Sequence, residues 1–544
     1  MQLPIGHLLS RRTERGDIEG LLHGRIPMMD KILATTQQPG MSVGVIHEGK
    51  EVFKHNFGVL DVVTGQKPDS DTLYCIASLC KAFMAASLDI LVQEQEEKVS
   101  WDRTIESIIP KFKHFEKSDI FSAMTVRDIC SHRTGLVSLD EIIQGLDGRI
   151  LVPKTNVVDV CNALPVKHDL RTNFLYNNAM YELAGLIVED VSGYPTWGHF
   201  QHDRIFRPLG MTRSTAFRSV HKTDNNIAKP YMILTSGVPL EVPPTELSAK
   251  SMNGGSGGIR SSVNDLLKWC KCLLQSFDED PRSENLVRKG SPMFNRSTIT
   301  NLQSAEVGDY CAGWCYHRTP GKLGMISPNR KLISPVLGSD SSSLLLYGHQ
   351  GDVPGYTCSL YIIPETKSAL VILTNGTGLS DASDWIAQDL IQTIYGLEPR
   401  VDFLGVANQA KEIYISYTED LPDIYRNHIT PALPLDQFSG SYIMKNLDIV
   451  CLDIAVEPED PTKLQMMVNK QPDQVWKLWY CNDDKFCRLP DSIDQCLSRG
   501  LDKTILTSCF ISFMRGSDGK VNLLCWELDG VEVHFLLADR KKGG

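Results

Sequence analysis

No window of this sequence approaches the roughly 18 consecutive apolar residues of a membrane-crossing helix. Its opening stretch, MQLPIGHLLSRRTERGDIEG, also lacks the apolar core of about 7 to 15 residues that marks a secretory leader. A cytoplasmic location without membrane attachment is the expectation. Concentrated positive charge is equally scarce. The only dense basic run is Arg540 to Lys542, and the formal net charge is -11. Nucleic acid or an anionic membrane as a partner would need a basic face that is not there. Repeats and low-complexity tracts are missing, and 22% charged against 42% hydrophobic residues excludes a disordered chain. Metal-ligand spacing is wanting as well: His199-Phe200-Gln201-His202 and Cys270-Lys271-Cys272 match neither a hydrolase nor a zinc-finger pattern. Gly254-Gly255-Ser256-Gly257-Gly258 has no Lys-Ser/Thr after it and no strand before it, so it reads as a flexible loop at an active-site rim, not a phosphate cradle. No metal and no cofactor is expected.

What the chain does have is length. Its 544 residues exceed the roughly 250 to 300 at which one hydrophobic core stops growing, so a catalytic body plus an appendage is expected. Fifteen cysteines in a chain without a leader read as buried thiols. The sequons Asn295-Arg296-Ser297 and Asn375-Gly376-Thr377 read as chance. Met41 to His47 and Glu51 to Val59 flank Glu48-Gly49-Lys50 as a hairpin. Ala77 to Leu91 turns helical, and helical stretches such as Thr125 to Cys130, Ala179 to Val191 and Val263 to Leu274 dominate to about residue 273. Strand character returns at Ser343 to Tyr347, Tyr356 to Ile363 and Ala369 to Leu373, separated by Gly-Asp-Val-Pro-Gly and Pro-Glu-Thr-Lys turns, and a helix at Asp384 to Tyr395 closes the body. One antiparallel sheet completed by both ends of this body follows. The segment from Pro399 to about Pro434 reads as loop. Short strands from Phe438 onward predict a second, all-β domain, a small barrel or sandwich.

Chemistry is carried first by Ser78-Leu79-Cys80-Lys81. A serine hydroxyl is a poor nucleophile until its proton is removed, and a lysine does that only when its pKa is lowered. At i and i+3 on a helix the two side chains share a face, and Ser78 sits near the positive end of the helix dipole. The same pattern at Ser219-Val220-His221-Lys222 lies in a polar stretch with no apolar helix to bury the lysine. Tyr176-Asn177-Asn178, just before the helix AMYELAGLIVEDV, supplies a phenol that can act as base or proton shuttle. Tyr-x-Asn recurs at Tyr425 and Tyr480, outside the catalytic body. A third element should be a polar side chain on an edge strand followed by Gly, so that backbone N-H groups can approach an oxyanion. His349-Gln350-Gly351 fits. His47-Glu48-Gly49 and Lys322-Leu323-Gly324 compete, the first in a hairpin turn and the second in a Gly/Pro loop.

In this order the segments ASLCKAF, DICSHRTGL, YNNAMYELAG, NGGSGGIRSSVNDLLKW and GHQGDVPGYTCSLYIIPETKSALVILTN resemble the serine β-lactamase and penicillin-binding protein (DD-peptidase) superfamily, in its class C-like esterase, aminopeptidase and acyltransferase branch. The resemblance spans roughly Asp17 to Tyr395. It implies an α+β fold, with an antiparallel sheet flanked by helices and a mainly helical subdomain. FSGSY at Phe438 to Tyr442 and the strands after it resemble the lipocalin-like domains appended to some members. The domain reading is then an N-terminal extension over 1–18, a catalytic domain over 19–400 with its helical subdomain at about 100–275, a linker over 401–434, and a C-terminal β-barrel-like domain over 435–544. The resemblance also implies Ser78 as acyl-accepting nucleophile, Lys81 as its base and Tyr176 as proton shuttle or principal base. Asn178, Gly351 and Asp352 would bind substrate, with the N-H groups of Ser78 and Asp352 as the oxyanion hole. His349 stands where many members carry Lys, which favours ester, amide or acyl-transfer chemistry over β-lactam breakdown. The expected activity is a serine hydrolase acting on a small molecule. An acyltransferase, non-covalent acid/base chemistry (a lyase or isomerase) in the same pocket, and a non-catalytic scaffold are the alternatives.

Overall fold

The computed structural model describes residues 17–222, 224–277, 285–296, 309–419, 434–488, 490, 492–501 and 509–538. Seven strands make the main antiparallel sheet: β1 (Gly40–His47), β2 (Lys50–Gly58), β3 (Asp309–Tyr310), β4 (Cys315–Arg318), β5 (Leu345–Val353), β6 (Tyr356–Ile363) and β7 (Ser368–Thr374). Their order across the sheet is β2-β1-β7-β6-β5-β4-β3. Met41 lies opposite Thr374 and Ile46 opposite Ala369, so the opening hairpin docks onto the last strand of the same module.

The central strands read as unbroken apolar runs because helices cover both faces of the sheet. Alternation sorts them. Leu370 and Ile372 share a core with Trp385 and Leu390 of the helix Ala382–Tyr395. Val371 and Leu373 share the other core with Leu266 and Leu267 of the helix Val263–Gln275. That second helix sits close because β1 carries glycine beneath it: a Cβ on Gly44 would stand 2.5 Å from Val263 Cγ1. The helices between β2 and β3, among them Cys80–Glu94 and Asn178–Ser192, pack into the helical subdomain.

Two segments differ from the expectation. β5 continues through Gly351 and Asp352 to Val353, pairing with Tyr356, so the turn shrinks to Pro354 and Gly355. The expected linker over 401–434 contains the helix Phe403–Glu419, whose Phe403, Ala407 and Ala410 are buried against the sheet's outer core. Residues 420–433, Tyr425 among them, and the basic run Arg540 to Lys542 lie outside the described residues.

The C-terminal domain is a closed barrel of eight antiparallel strands, from Gly440–Met444 to Val531–Leu537, shut where Tyr442 meets Leu537. Met466, Leu478, Phe486, Phe513, Trp526 and Phe535 fill its interior, as small barrels require. None of the fifteen cysteines forms a disulfide, and thirteen of them are buried. Among the described residues no helix is long and apolar enough to cross a membrane.

Candidate active site

Ser78 stands on a tight turn. The short strand Tyr74–Cys75 leads into a 3-10 turn at Ala77–Leu79, and the helix Cys80–Glu94 begins directly after it. Ala77 holds φ at 45°, in the left-handed region that costs an L-residue roughly 1–2 kcal/mol. Glycine would adopt it freely, so packing must hold it. β5 supplies that packing, because Gly351 passes so close that a Cβ there would meet Ile76 O at 2.7 Å and Ala77 Cβ at 3.0 Å. Gly351 thus lets the strand bearing Asp352 lie against the serine turn. β4 pairs with β5 only as far as Gly348, which leaves the next stretch of that edge to face Ser78.

Lys81 Nζ lies 3.0 Å from Ser78 Oγ and donates to the Ser256 carbonyl at 3.1 Å. The Tyr176 hydroxyl reaches Ser78 Oγ at 2.9 Å from the extended segment just ahead of the helix Asn178–Ser192, whose N-cap is Asn177. Burial sets the two candidate bases apart. It drags the Lys81 ammonium from its ordinary 10.5 down to about 7, against weaker upward pulls from Cys80 and Asp140. The same burial pushes the Tyr176 phenol well above its ordinary value. Near neutral pH, then, Lys81 can be a free amine while Tyr176 keeps its proton. In that state one network satisfies every group: Tyr176 donates to Ser78, Ser78 donates to Lys81, and Lys81 donates to Ser256.

Asn178 is held by Asp140, whose carboxylate accepts from Asn178 Nδ2 at 2.7 Å and from Asn253 Nδ2 at 2.8 Å. Ser78, Asp140, Asn178, Ser256 and Asp352 all line one cavity of about 240 Å³. Sequence reasoning missed Asp140, which carries no local motif, and took the glycine run around Ser256 for a flexible loop. Gly254–Gly257 is instead a buried helical turn. A Cβ on Gly254 would stand 1.8 Å from Ser248 O and one on Gly255 2.5 Å from Tyr181 O, so the glycines serve close packing that brings the Ser256 carbonyl to Lys81.

His349 requires correction. It is fully buried behind Tyr176, with ring centroids 6.3 Å apart, and does not line the cavity. Its Nδ1 faces the Gln350 carbonyl at 2.6 Å, which can only accept, so Nδ1 carries the proton. Nε2 therefore accepts from the Tyr310 hydroxyl at 3.0 Å. Burial holds the ring neutral, with its pKa down to about 3. His132, in the segment DICSHRTGL, stacks on Tyr176 with centroids 4.2 Å apart and accepts the Asn177 N-H at Nδ1. Tyr176 is thus positioned by two neutral imidazoles.

The competing motifs fall elsewhere. Ser219 is exposed on a 3-10 turn, and Tyr480 packs on Phe486 in the barrel. His47 bonds Ser368 at the hairpin end, and Lys322 belongs to a two-stranded ribbon with Val336–Leu337. His199 bonds Thr196 and His202 bonds Asp203. Among the described residues, the His, Cys, Asp and Glu side chains close enough to share an ion are Cys525, Glu532 and His534, on the barrel.

The chain is 27% identical to the unguisins hydrolase ungD of Aspergillus violaceofuscus over 429 residues, covering 74% of this chain and 71% of that one. It is 22% identical to a penicillin-binding protein of Bacillus subtilis over 338 residues, 60% of this chain and 66% of that protein. The octameric penicillin-binding protein homologue from Pyrococcus abyssi shares the fold at a TM-score of 0.54 and 21% identity, across 95% of this chain and 99% of that one. The β-lactamase family model matches residues 27–393, the module that holds Ser78, Lys81 and Tyr176, and this chain therefore belongs to the β-lactamase family.

Proposed function

We propose that the protein is a serine hydrolase that cleaves an ester or amide of an uncharged small molecule through an acyl-enzyme on Ser78. The observation that carries this reading is the pair of contacts on Ser78 Oγ, with Lys81 Nζ at 3.0 Å and the Tyr176 hydroxyl at 2.9 Å. Neutral Lys81 takes the Ser78 proton as Oγ attacks the carbonyl carbon. The oxyanion is received by backbone N-H groups of Ser78 and Asp352. On collapse, the leaving oxygen or nitrogen departs with a proton relayed from Lys81 through Tyr176, leaving an ester on Ser78. Water, deprotonated by the same amine, then frees the acid and restores the serine.

The cavity wall carries Asp140 and Asp352 and, among the described residues that line it, no Arg, Lys or His. A substrate with its own carboxylate beside the scissile bond would find no cation to pair with there, which favours uncharged esters and amides over β-lactams. The relative named a hydrolase supports water as the acyl acceptor. Intact-mass measurement after treatment with a fluorophosphonate tests the reading: one adduct is expected on the wild type and on Ser219→Ala, and none on Ser78→Ala. Labelling that survives Ser78→Ala would sink it.

A further inference from the structure

Two residues on the wall of the Ser78 cavity, Gly500 and Leu501, come from the barrel domain and not from the catalytic module. They follow the helix Ile493–Ser498, which is inserted between two barrel strands. Contacts on both sides fix this turn. On one side Arg499 grips Asp147 through both carboxylate oxygens at 2.6 to 2.8 Å, and the Asp147 N-H donates to the Arg499 carbonyl at 2.7 Å. Next to it the Leu146 N-H donates to Gln474 Oε1 at 2.8 Å, an approach that Gly145 permits, since a Cβ there would lie 2.3 Å from the same oxygen. On the other side Asp494 accepts from the Thr235 N-H at 2.8 Å and hydroxyl at 3.1 Å. Ile493 and Leu497 share a small apolar core with Met232 and Val242. Gly500 turns the chain at φ 73°, which places Leu501 at the cavity. The turn that carries Leu501 is thus held by contacts to the catalytic module.

The wall is also divided by chemistry. Asp140, Asn178 and Asp352 give it a polar part, whereas Met232, Leu247, Val353 and Leu501 give it an apolar part. Apolar side chains that line a site discriminate by size and shape, and a single methylene changes selectivity roughly 10- to 200-fold.

We infer that Leu501 is a specificity-determining residue of the reaction at Ser78: it completes an apolar wall that takes the aliphatic or aromatic part of an uncharged acyl substrate, and the barrel is the module that selects that substrate. The inference rests on Ser78 being the nucleophile.

The test measures kcat/KM for p-nitrophenyl acetate, butyrate and octanoate with the full chain, its Leu501→Ala and Leu501→Trp variants, and Arg499→Ala, which releases the clamp while keeping Leu501. The octanoate-to-acetate ratio should rise about 5- to 10-fold in Leu501→Ala, fall at least about 10-fold in Leu501→Trp, and rise in Arg499→Ala. Circular dichroism checks that each variant is folded, and Leu501→Ala with Arg499→Ala decides the matter should the bulky tryptophan disrupt the fold. Ratios unchanged in both of these, on a wild type whose Ser78 is labelled by a fluorophosphonate, overturn the inference and leave the nucleophile standing. A wild type that is not labelled at Ser78 overturns both.

Discussion

Lys81 is where pH should act on this protein, and its burial sets the size of the effect. The fall from 10.5 to about 7 corresponds to about 5 kcal/mol of preference for the neutral amine, at 1.36 kcal/mol per unit. Between those two values the unfolded chain holds a proton that the native state has released. Stability therefore rises with pH across that window, and the penalty is complete below pH 7, where the buried ammonium is charged. Lys81→Met removes the titration and also the bonds to Ser78 and Ser256, a loss of about 1–3 kcal/mol that does not vary with pH. The difference in unfolding free energy between wild type and variant should then move in favour of wild type by about 2 kcal/mol from pH 7 to pH 9. Urea unfolding followed by tryptophan fluorescence at those two values measures it. The wild-type rate of fluorophosphonate labelling reads the same proton from the catalytic side. It should climb about tenfold per unit below pH 7 and level off above it, because the free amine is the active base. A rate that keeps climbing beyond pH 9, or a stability difference that is flat with pH, would refute the argument that burial neutralises this lysine.

Tyr176→Phe removes the hydroxyl 2.9 Å from Ser78 and should lower kcat on an amide by about 10² to 10⁴-fold; steady-state turnover checks it, and near-normal turnover would take the phenol out of the proton relay. His349→Phe leaves the Tyr310 hydroxyl and the Gln350 carbonyl without their partner. It should cost about 1–3 kcal/mol of stability in a denaturant melt while the shape of the pH–rate profile between 5 and 8 stays that of the wild type; a lost or shifted limb would give His349 a proton-transfer role after all. Gly351→Ala drives a Cβ to 2.6 Å from Cys358 Sγ and 2.7 Å from Ile76 O, so β5 must move off the serine turn. A displacement of about 1 Å should lower kcat/KM on the order of 10²-fold, and wild-type kinetics in that variant would show that the strand edge plays no part.

The portion of the site that was legible is the portion written locally. Ser78 and Lys81 lie three residues apart ahead of an apolar helix, and Tyr176 directly precedes another, so spacing and periodicity suffice to single them out. His349 was read as following the Ser343 to Tyr347 strand, which in the structure runs through it to Val353; its chemistry depends on Tyr310, whose hydroxyl reaches it across 39 positions of sequence, and no periodicity reveals which proton a buried imidazole keeps. Asp140 reads as one acid among many until Asn178 and Asn253 converge on it. The glycine run at 254–258 looked mobile because glycine is permissive, whereas here it is selected for the absence of a Cβ. The helix Phe403–Glu419 was within reach, since Phe403, Ala407, Ala410 and Tyr414 recur at helical spacing. In the barrel the alternating strands were plain, but nothing in Arg499-Gly500-Leu501 announces that it belongs to a cavity in another module.

The pairing of Arg499 with Asp147 joins positions 352 residues apart, which bears on when during synthesis the protein becomes competent. The nucleophile turn and its lysine leave the ribosome early, and the sheet can close once β7 has emerged. The cavity stays open on one side until most of the barrel has been translated and has docked. At roughly 5 to 20 residues per second, that leaves an interval on the order of ten seconds between completion of the catalytic module and completion of its wall. During that interval, on the proposed role of Leu501, the serine would be assembled with its selecting wall still missing.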